Sequence, residues 1–152
     1  MQRLLAVLFL IATGSWYSFA APDGSFRVEF PDGRPSRQSR SGRTDYWRFD
    51  GSTTYRVQVF TKKDYAAAKA EELLRNYPNP QAAGIDGKVV NARPLEMGRY
   101  SGRAVRIEGS ATQEAHAYVT DGRLYLVSAT SAPGKPLSPD ADHFLESFAI
   151  LK

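Results

Sequence analysis

The sequence contains no cysteine, which excludes disulfide bonds, thiolate chemistry and a lipid-modified cysteine. Histidine is scarce as well. His116 and His143 are the only two, and neither has the H-x-x-x-H spacing or the cysteine partners typical of metal sites. The chain also lacks a P-loop, a dinucleotide-binding glycine motif and a G-x-S-x-G nucleophile elbow. We therefore expect no cofactor, no metal and no catalytic residue, and a fold stabilised by packing alone.

Long apolar stretches are limited to one run, at residues 4–12, which directly follows Arg3. A mixed segment with small residues at the −3 and −1 positions of a cleavage site comes next, which is typical of a secretory signal peptide. The sequence therefore predicts a signal peptide over residues 1–21, cut after Ala20 or Ala21. A membrane-spanning helix needs about 20 apolar residues. An uncleaved membrane anchor is the alternative.

Residues 22–152 have the length of a single domain. A signal peptide implies export, to the periplasm or outside the cell, and the absence of disulfides fits a bacterial envelope protein. After cleavage we expect a monomer with no stable membrane span. The excess charge is small, because this part of the chain keeps 19 basic side chains against 16 acidic ones. Export and this balance together argue against a nucleic-acid partner.

Regular alternation of apolar and polar side chains predicts a mainly antiparallel β-sheet. Residues 45–61 have the pattern of one hairpin, and an Asp-Gly pair at 121–122 supplies the turn of another. Apolar spacing predicts a helix over residues 62–78, and a Ser-Pro pair at 138–139 opens a second helix. The fold class is therefore α+β, a mainly antiparallel sheet flanked by two helices. Further strands are expected at 25–30, 88–95, 103–109, 114–120 and 123–130, with a short strand at the C terminus.

The predicted first hairpin has a register that the structure can test. If Phe49 pairs with Tyr55 across a three-residue loop, the apolar side chains of both arms share one face. The same register places Arg48 directly opposite Arg56. Such like-charge pairs cost up to ~1 kcal/mol unless a counter-charge is near. Asp50, diagonal to Arg56, and an external anion or acidic partner are the candidates for that counter-charge.

Acidic residues are absent between Asp32 and Asp45, where the chain reads GRPSRQSRSGR. Arginine recurs at every third position of this stretch. Since arginine pairs with anions through a fixed fork of donors, the stretch is either a solvated edge of the domain or an interaction surface. The candidate residues for ligand or partner binding are Arg34, Arg37, Arg40, Arg43, Tyr46, Arg48 and Arg56.

Three segments, GSFRVEFPDGRP, RLYLVSAT and DADHFLESFAI, resemble small bacterial exported proteins of the PsbP-like group, which is named for an extrinsic subunit of photosystem II. The resemblance implies an antiparallel sheet flanked by helices in an α/β/α sandwich, with residues 36–41 as an edge strand. It brings no catalytic residue and implies an accessory or assembly role. The matching residues build the core; they are Phe26, Phe30, Pro31, Tyr125, Phe144, Ser147 and Phe148.

Three functional hypotheses follow. The first is a non-catalytic exported protein that acts through contact with an unidentified envelope protein. The second is a protein that binds a small anionic ligand, a lipid headgroup or a polyanionic glycan at a patch around Arg48 and Arg56. The third is a hydrolase, which requires Glu108, Glu114 or His116 to converge in a pocket. No motif supports the third hypothesis, so we expect a protein that is not an enzyme.

Overall fold

Alternating side chains form ten β-strands in the part of the chain that the computed structural model describes, residues 15–79 and 84–151. In chain order they are β1 (Trp16–Ala20), β2 (Phe26–Pro31), β3 (Ser36–Arg40), β4 (Arg43–Phe49), β5 (Thr53–Thr61), β6 (Gly87–Met97), β7 (Tyr100–Gly109), β8 (Thr112–Thr120), β9 (Arg123–Ser131) and β10 (Ala149–Ile150). The helical elements are a 3-10 turn (Ala67–Lys69), α1 (Ala70–Leu74) and α2 (Ala141–Ser147). Every predicted strand is confirmed, with slightly different bounds.

The strands build two sheets in which every neighbouring pair is antiparallel. The larger sheet has seven strands in the order β3-β4-β5-β9-β8-β7-β6, and the smaller sheet has three in the order β1-β2-β10. Most strands pair with their neighbour in the chain, because tight turns can join antiparallel strands. The predicted α+β class with a mainly antiparallel sheet is confirmed, and β3 and β6 are the two edges of the larger sheet.

Aromatic side chains fill the space between the larger sheet and a cover made of the smaller sheet and α2. The ring of Phe26 lies 5.5 Å from the ring of Phe148, and the ring of Phe144 lies 5.2 Å from that of Tyr55. Each of these four side chains is at most 2% exposed. Burying one such ring contributes roughly 1.5–3 kcal/mol, so this layer is a main source of stability. We call this side of the larger sheet the aromatic face.

The opposite side of the larger sheet, the α1 face, packs against the short helix. Leu74 of α1 belongs to a second buried cluster that includes Leu124 and Leu126 of β9. Their neighbours Tyr125 and Val127 point to the aromatic face. All four of these β9 side chains are apolar, so the sequence pattern does not show which ones face the core. The structure buries both pairs, one on each face of the sheet. The predicted sandwich is confirmed in part, since the smaller sheet shares the cover of the aromatic face with α2.

The predicted helix over residues 62–78 is wrong in length. Only the 3-10 turn and α1 are helical. The late start is explained by the residues before them, which bond to the turn between β8 and β9. The Gly122 amide donates to the Tyr65 carbonyl at 2.7 Å, and the Ala67 amide donates to the Asp121 carboxylate at 2.9 Å. A carboxylate from a turn distant in sequence therefore does the work of a local N-cap residue.

Part of the predicted signal peptide lies in the smaller sheet. β1 pairs with β2 over five positions, from Trp16 to Ala20. Residues 1–14, which hold the predicted apolar run, lie outside the described residues, so the signal peptide stays a prediction. Within the described part of the chain, no helix has the length and apolar character needed to cross a membrane.

Candidate functional site

The strand β3 forms a free edge of the larger sheet and carries arginines. All five of its residues are exposed, and β4 is its only strand neighbour within the described residues. The edge strand implied by the PsbP-like resemblance is thus confirmed. Arg37 and Arg40 lie on this strand, and the exposed Arg34 lies in the turn before it. We call these three arginines the basic edge.

The guanidinium groups of the basic edge have no hydrogen bond or ion pair with any described residue. Arg40 lies directly opposite Arg43 of β4, so a like-charge pair stands at the end of this hairpin. Arg43 is neutralised, because its Nε and Nη2 donate to the Asp45 carboxylate at 2.8 and 2.9 Å. Arg40 has no such counter-charge among the described residues.

The predicted register of the β4–β5 hairpin is wrong by one residue. Arg48 lies opposite Tyr55, and Arg56 lies opposite Trp47. Because opposed residues share a face and successive side chains alternate, Arg48 lies on the aromatic face and Arg56 on the α1 face. The expected like-charge pair does not exist, and the anion patch expected around the two arginines loses its geometric basis.

The carboxylate of Asp50 fixes this register by closing a two-residue turn in place of the expected three-residue loop. Its Oδ1 accepts hydrogen bonds from the Ser52 and Thr53 amides, both at 2.8 Å, and its Oδ2 accepts one from the Tyr55 hydroxyl at 3.0 Å. Burial alone would raise the pKa of Asp50, but the hydrogen bonds from Thr53 and Ser52 outweigh it and lower the pKa. Asp50 therefore stabilises the turn and does not neutralise Arg56.

Arg48 holds the loop between β2 and β3. Its Nε donates to the Pro31 carbonyl at 3.1 Å, its Nη2 to the Asp32 carbonyl at 3.0 Å and its Nη1 to the Arg34 carbonyl at 3.3 Å. The guanidinium packs against Gly33, where an added Cβ would lie 3.3 Å from the Arg48 Cζ. Since these donors are occupied, Arg48 positions the loop that leads into the basic edge and is poorly suited to bind a ligand.

Of the two remaining candidates, Tyr46 is buried and Arg56 is half-buried. Tyr46 is 5% exposed and belongs to the aromatic core. The Nε of Arg56 is buried without a hydrogen-bond partner among the described residues, and the cavity beside it measures ≈ 10 Å³, no more than one water needs. The structure therefore separates the seven predicted binding residues. Among them, only the three arginines of the basic edge are exposed and without an ion pair to a described residue.

Two of the three acid–base candidates, Glu108 and Glu114, lie together on one arginine, which neutralises them. Arg106 bridges both carboxylates, donating from Nε to Glu108 at 2.9 Å and from Nη1 to Glu114 at 2.7 Å. His116 is buried, since it is only 7% exposed. Burial, and next the charge of Arg93, lower the pKa of His116 to about 4. Within the described residues, no three metal-ligating side chains form a cluster.

Two larger cavities are not predictable from the sequence pattern. One of ≈ 600 Å³ lies between α1 and the β6–β7 pair, where Arg103 donates to the Leu74 and Arg75 carbonyls, each at 3.1 Å. The other, of ≈ 570 Å³, lies between β1, β2 and α2, beside Phe19 and His143. Both cavities form where elements distant in sequence pack together, so no local sequence motif predicts them.

Comparison with known proteins identifies the fold. No protein-family model matches the chain, and no curated protein sequence is significantly similar to it. The solution structure of cyanobacterial PsbP (CyanoP) from Synechocystis sp. PCC 6803 is similar, with a TM-score of 0.58 and 12% identity over 97% of this chain and 99% of that chain. The PsbP-like fold predicted from the sequence is confirmed, and at this identity the likeness shows the fold alone.

Two further solved structures are more distant. A crystal structure from Bacteroides thetaiotaomicron VPI-5482 has a TM-score of 0.48 and 15% identity, over 89% of this chain and 48% of that chain. A Pseudomonas aeruginosa protein of unknown function, described as a putative regulator, has a TM-score of 0.41 and 9% identity, over 79% of this chain and 85% of that chain. Neither carries an argument about function.

Proposed function

We propose that this protein is a non-catalytic, exported accessory protein that acts through contact between its basic edge and an acidic surface of an envelope protein. The observation that supports it most is that Arg34, Arg37 and Arg40 lie at an unpaired edge and form no ion pair with any described residue. Uncompensated charge of one sign attracts an acidic surface, speeds association and suppresses wrong partners.

The arrangement of the arginines favours a protein partner over a small anion. A small anion needs several donors that converge in a concave site, whereas the basic edge is a row along a strand and the turn before it. Arg37 does border a cavity of ≈ 190 Å³ together with Arg123. However, the Arg123 Nη2 is paired with the Asp23 carboxylate at 2.7 Å, so that cavity already contains a counter-charge.

A catalytic role has no comparable support. Glu108 and Glu114 are both bound to Arg106, and His116 is buried in the middle of the sheet with a lowered pKa. A general acid or base must reach a substrate, and none of these three groups lines a cavity described above. The proposal is therefore a protein that works by binding.

Affinity capture from cell-envelope extract tests the proposal, with the exported protein and two variants as baits. The basic-edge variant replaces its three arginines with alanine. The control variant removes the same charge from exposed positions elsewhere, with Lys63→Ala, Lys69→Ala and Lys135→Ala. We expect the wild type and the control to capture one partner in a salt-sensitive manner, and the basic-edge variant to lose it at least ~10-fold. Equal capture by all three baits, or no specific capture, contradicts the proposal.

A further inference from the structure

Arg56 has no ion-pair partner among the described residues. It lies on β5, half-buried on the α1 face, and its Nε is buried without a hydrogen-bond partner. Residues 80–83, which lie outside the described range, contain no acidic side chain. A charged group that is removed from water costs free energy unless an opposite charge and hydrogen bonds compensate it. The surroundings of Arg56 therefore favour an anion.

The neighbours of Arg56 on this face are not acidic. The register of the sheet places Trp47 of β4 and Ser128 of β9 directly opposite it, and Gln58 follows two residues later on the same strand. The acidic residue of β4 on this face, Asp45, lies opposite Gln58. Its two carboxylate oxygens already accept hydrogen bonds from a neighbouring arginine at 2.8 and 2.9 Å. The sheet therefore offers Arg56 hydrogen-bonding side chains but no counter-charge.

A small cavity beside Arg56 is lined by further polar side chains. Gln58, Gln113 and Ser128 are 4%, 3% and 7% exposed, and all three border the cavity together with residues 78–79. The cavity measures ≈ 10 Å³, which is room for one occupant of about the size of a water molecule. A polyatomic anion such as phosphate or a carboxylate does not fit this space. The cavity therefore takes either a water molecule or a monatomic anion.

The donor chemistry and the charge favour the anion over water. The guanidinium N–H, the Gln58 amide and the Ser128 hydroxyl can each donate a hydrogen bond to one acceptor. The Gln113 amide differs, because its Nε2 already donates to the Thr130 Oγ1 at 2.8 Å. A water molecule satisfies a hydrogen bond but leaves the charge of Arg56 unbalanced. A monatomic anion accepts from several donors at once and also neutralises that charge.

We propose that the protein binds one chloride ion in this cavity, held by the Nε–H of Arg56 together with Gln58 and Ser128. Chloride is slightly larger than water, so the flexible Gln58 side chain shifts a little to admit it. The ion supplies the missing counter-charge of the sheet and stabilises the folded protein. The site differs from the predicted patch around Arg48 and Arg56, because it lies on the α1 face alone. It does not rest on the proposed function, since the basic edge takes no part in it.

Thermal unfolding at constant ionic strength tests the site, with sodium gluconate replaced stepwise by sodium chloride. Gluconate is too large for the cavity, and equal ionic strength keeps the screening of charges constant. We expect the Tm of the wild type to rise by roughly 2–6 °C for each tenfold increase in chloride above its dissociation constant. Broadening of the chloride NMR line by the protein measures the binding directly.

Three variants separate a bound ion from a general effect of salt. Arg56→Gln removes the charge but keeps a polar side chain, and Ser128→Ala removes one hydroxyl donor. Arg37→Gln makes the same change of charge at an exposed arginine and is the matched control. We expect Arg56→Gln to lose both the chloride-dependent rise in Tm and the line broadening. Ser128→Ala should bind chloride roughly 3–10-fold more weakly, and the control should behave as the wild type does.

Two results overturn this proposal. If the wild type has the same Tm in chloride and in gluconate and does not broaden the chloride line, the cavity takes water only. If Arg56→Gln keeps the chloride dependence of the wild type, the salt acts elsewhere on the protein and the assigned site is wrong. Neither result bears on capture through the basic edge, so the chloride site and the proposed partner surface can fail separately.

Discussion

The two edge strands of the larger sheet are protected against pairing in different ways. β3 is five residues long and exposed throughout, and its Arg37 and Arg40 point to opposite faces. β6 is eleven residues long and exposes Val89 and Val90, at 40% and 53%. Its register shifts beside Val90, and Pro94 has no backbone donor, so its backbone is a poor template for another strand. One edge is protected by charge and the other by irregular geometry.

This difference indicates which edge is suited to recognition. A bulge and a proline block pairing without attracting anything, whereas uncompensated arginines repel basic surfaces and attract acidic ones. A strand as short as β3 is already a weak template for pairing, so protection alone does not require three arginines. We therefore interpret the basic edge as an interaction surface and β6 as a protected edge.

The largest effect on stability is expected from His116, in the β6 half of the sheet. One row of opposed residues runs from Arg37 at the first edge, through Tyr46 and His116, to Arg93 at the second. On the β3 side of the sheet this row contains Tyr46, which lies on β4. On the β6 side it contains the ionisable His116, which lies on β8. Burial and then Arg93 lower the pKa of His116 to about 4, while Asp142 acts in the opposite direction.

Because this folded-state pKa lies below the unfolded value of about 6.5, the unfolded chain binds a proton first as the pH falls. The free energy of unfolding of the wild type should therefore fall by about 3 kcal/mol between pH 6.5 and pH 4. His116→Leu should remove most of that fall without loss of stability at neutral pH, since the His116 Nδ1 is buried without a described partner. Urea unfolding at stepped pH measures this, and a wild-type curve that is flat over this window would rule out a buried neutral histidine.

The next largest effect is expected at Gly102 of β7, where packing is tight near the β6 edge. An added Cβ would lie 2.5 Å from the Tyr118 Cδ1 and 2.7 Å from the Ala117 carbonyl oxygen. Gly102→Ala should therefore lower the free energy of unfolding by roughly 1–3 kcal/mol. The matched control is Ser101→Ala at the exposed neighbouring position, which should change it by less than ~0.5 kcal/mol. Thermal unfolding that is the same for both variants would show that the packing is looser than described.

A smaller effect should separate the structural arginine from the free ones beside β3. Arg48→Ala removes hydrogen bonds to three carbonyls and should lower the free energy of unfolding by about 1–2 kcal/mol. Arg48→Lys should recover only part of this, because a single ammonium cannot span three acceptors as a planar guanidinium does. Urea unfolding of the two variants measures the difference, and full recovery with lysine would mean that charge alone matters there.

The smallest effect should come from the basic edge itself. Its guanidinium groups have no partner among the described residues, so replacing all three arginines with alanine should change the free energy of unfolding by less than ~0.5 kcal/mol. Unchanged stability together with lost capture is the signature of an interaction surface. A loss of more than about 1 kcal/mol would instead assign these arginines a role in the fold.

Local patterns are enough to predict most strands of the larger sheet. β8 and β9 alternate on either side of the Asp121-Gly122 turn, and Gly122 has the positive φ of 83° that such a turn requires. The sequence also shows directly that arginines cluster between β2 and β4. It does not predict which arginine is free, because the carbonyls that occupy Arg48 belong to a separate part of the chain.

The predictions that failed all depend on contacts that a local pattern does not encode. The helix predicted over residues 62–78 begins only at Ala67, because Asp121 binds the Ala67 amide. The hairpin register differs by one residue because the Asp50 carboxylate closes a tighter turn. His116 is buried because α2 packs over β8, and its neighbours in sequence give no sign of that cover.

Crosslinking in the cell tests the central claim most directly, because it compares the two edges in one experiment. A photo-reactive amino acid replaces Gln38 of β3 in one version and Val90 of β6 in the other, both at exposed positions. We expect position 38 to give an adduct with one partner that disappears in the basic-edge variant, and position 90 to give none. An adduct from position 90 alone, no adduct from position 38, or an adduct from position 38 that persists without the arginines would contradict the account.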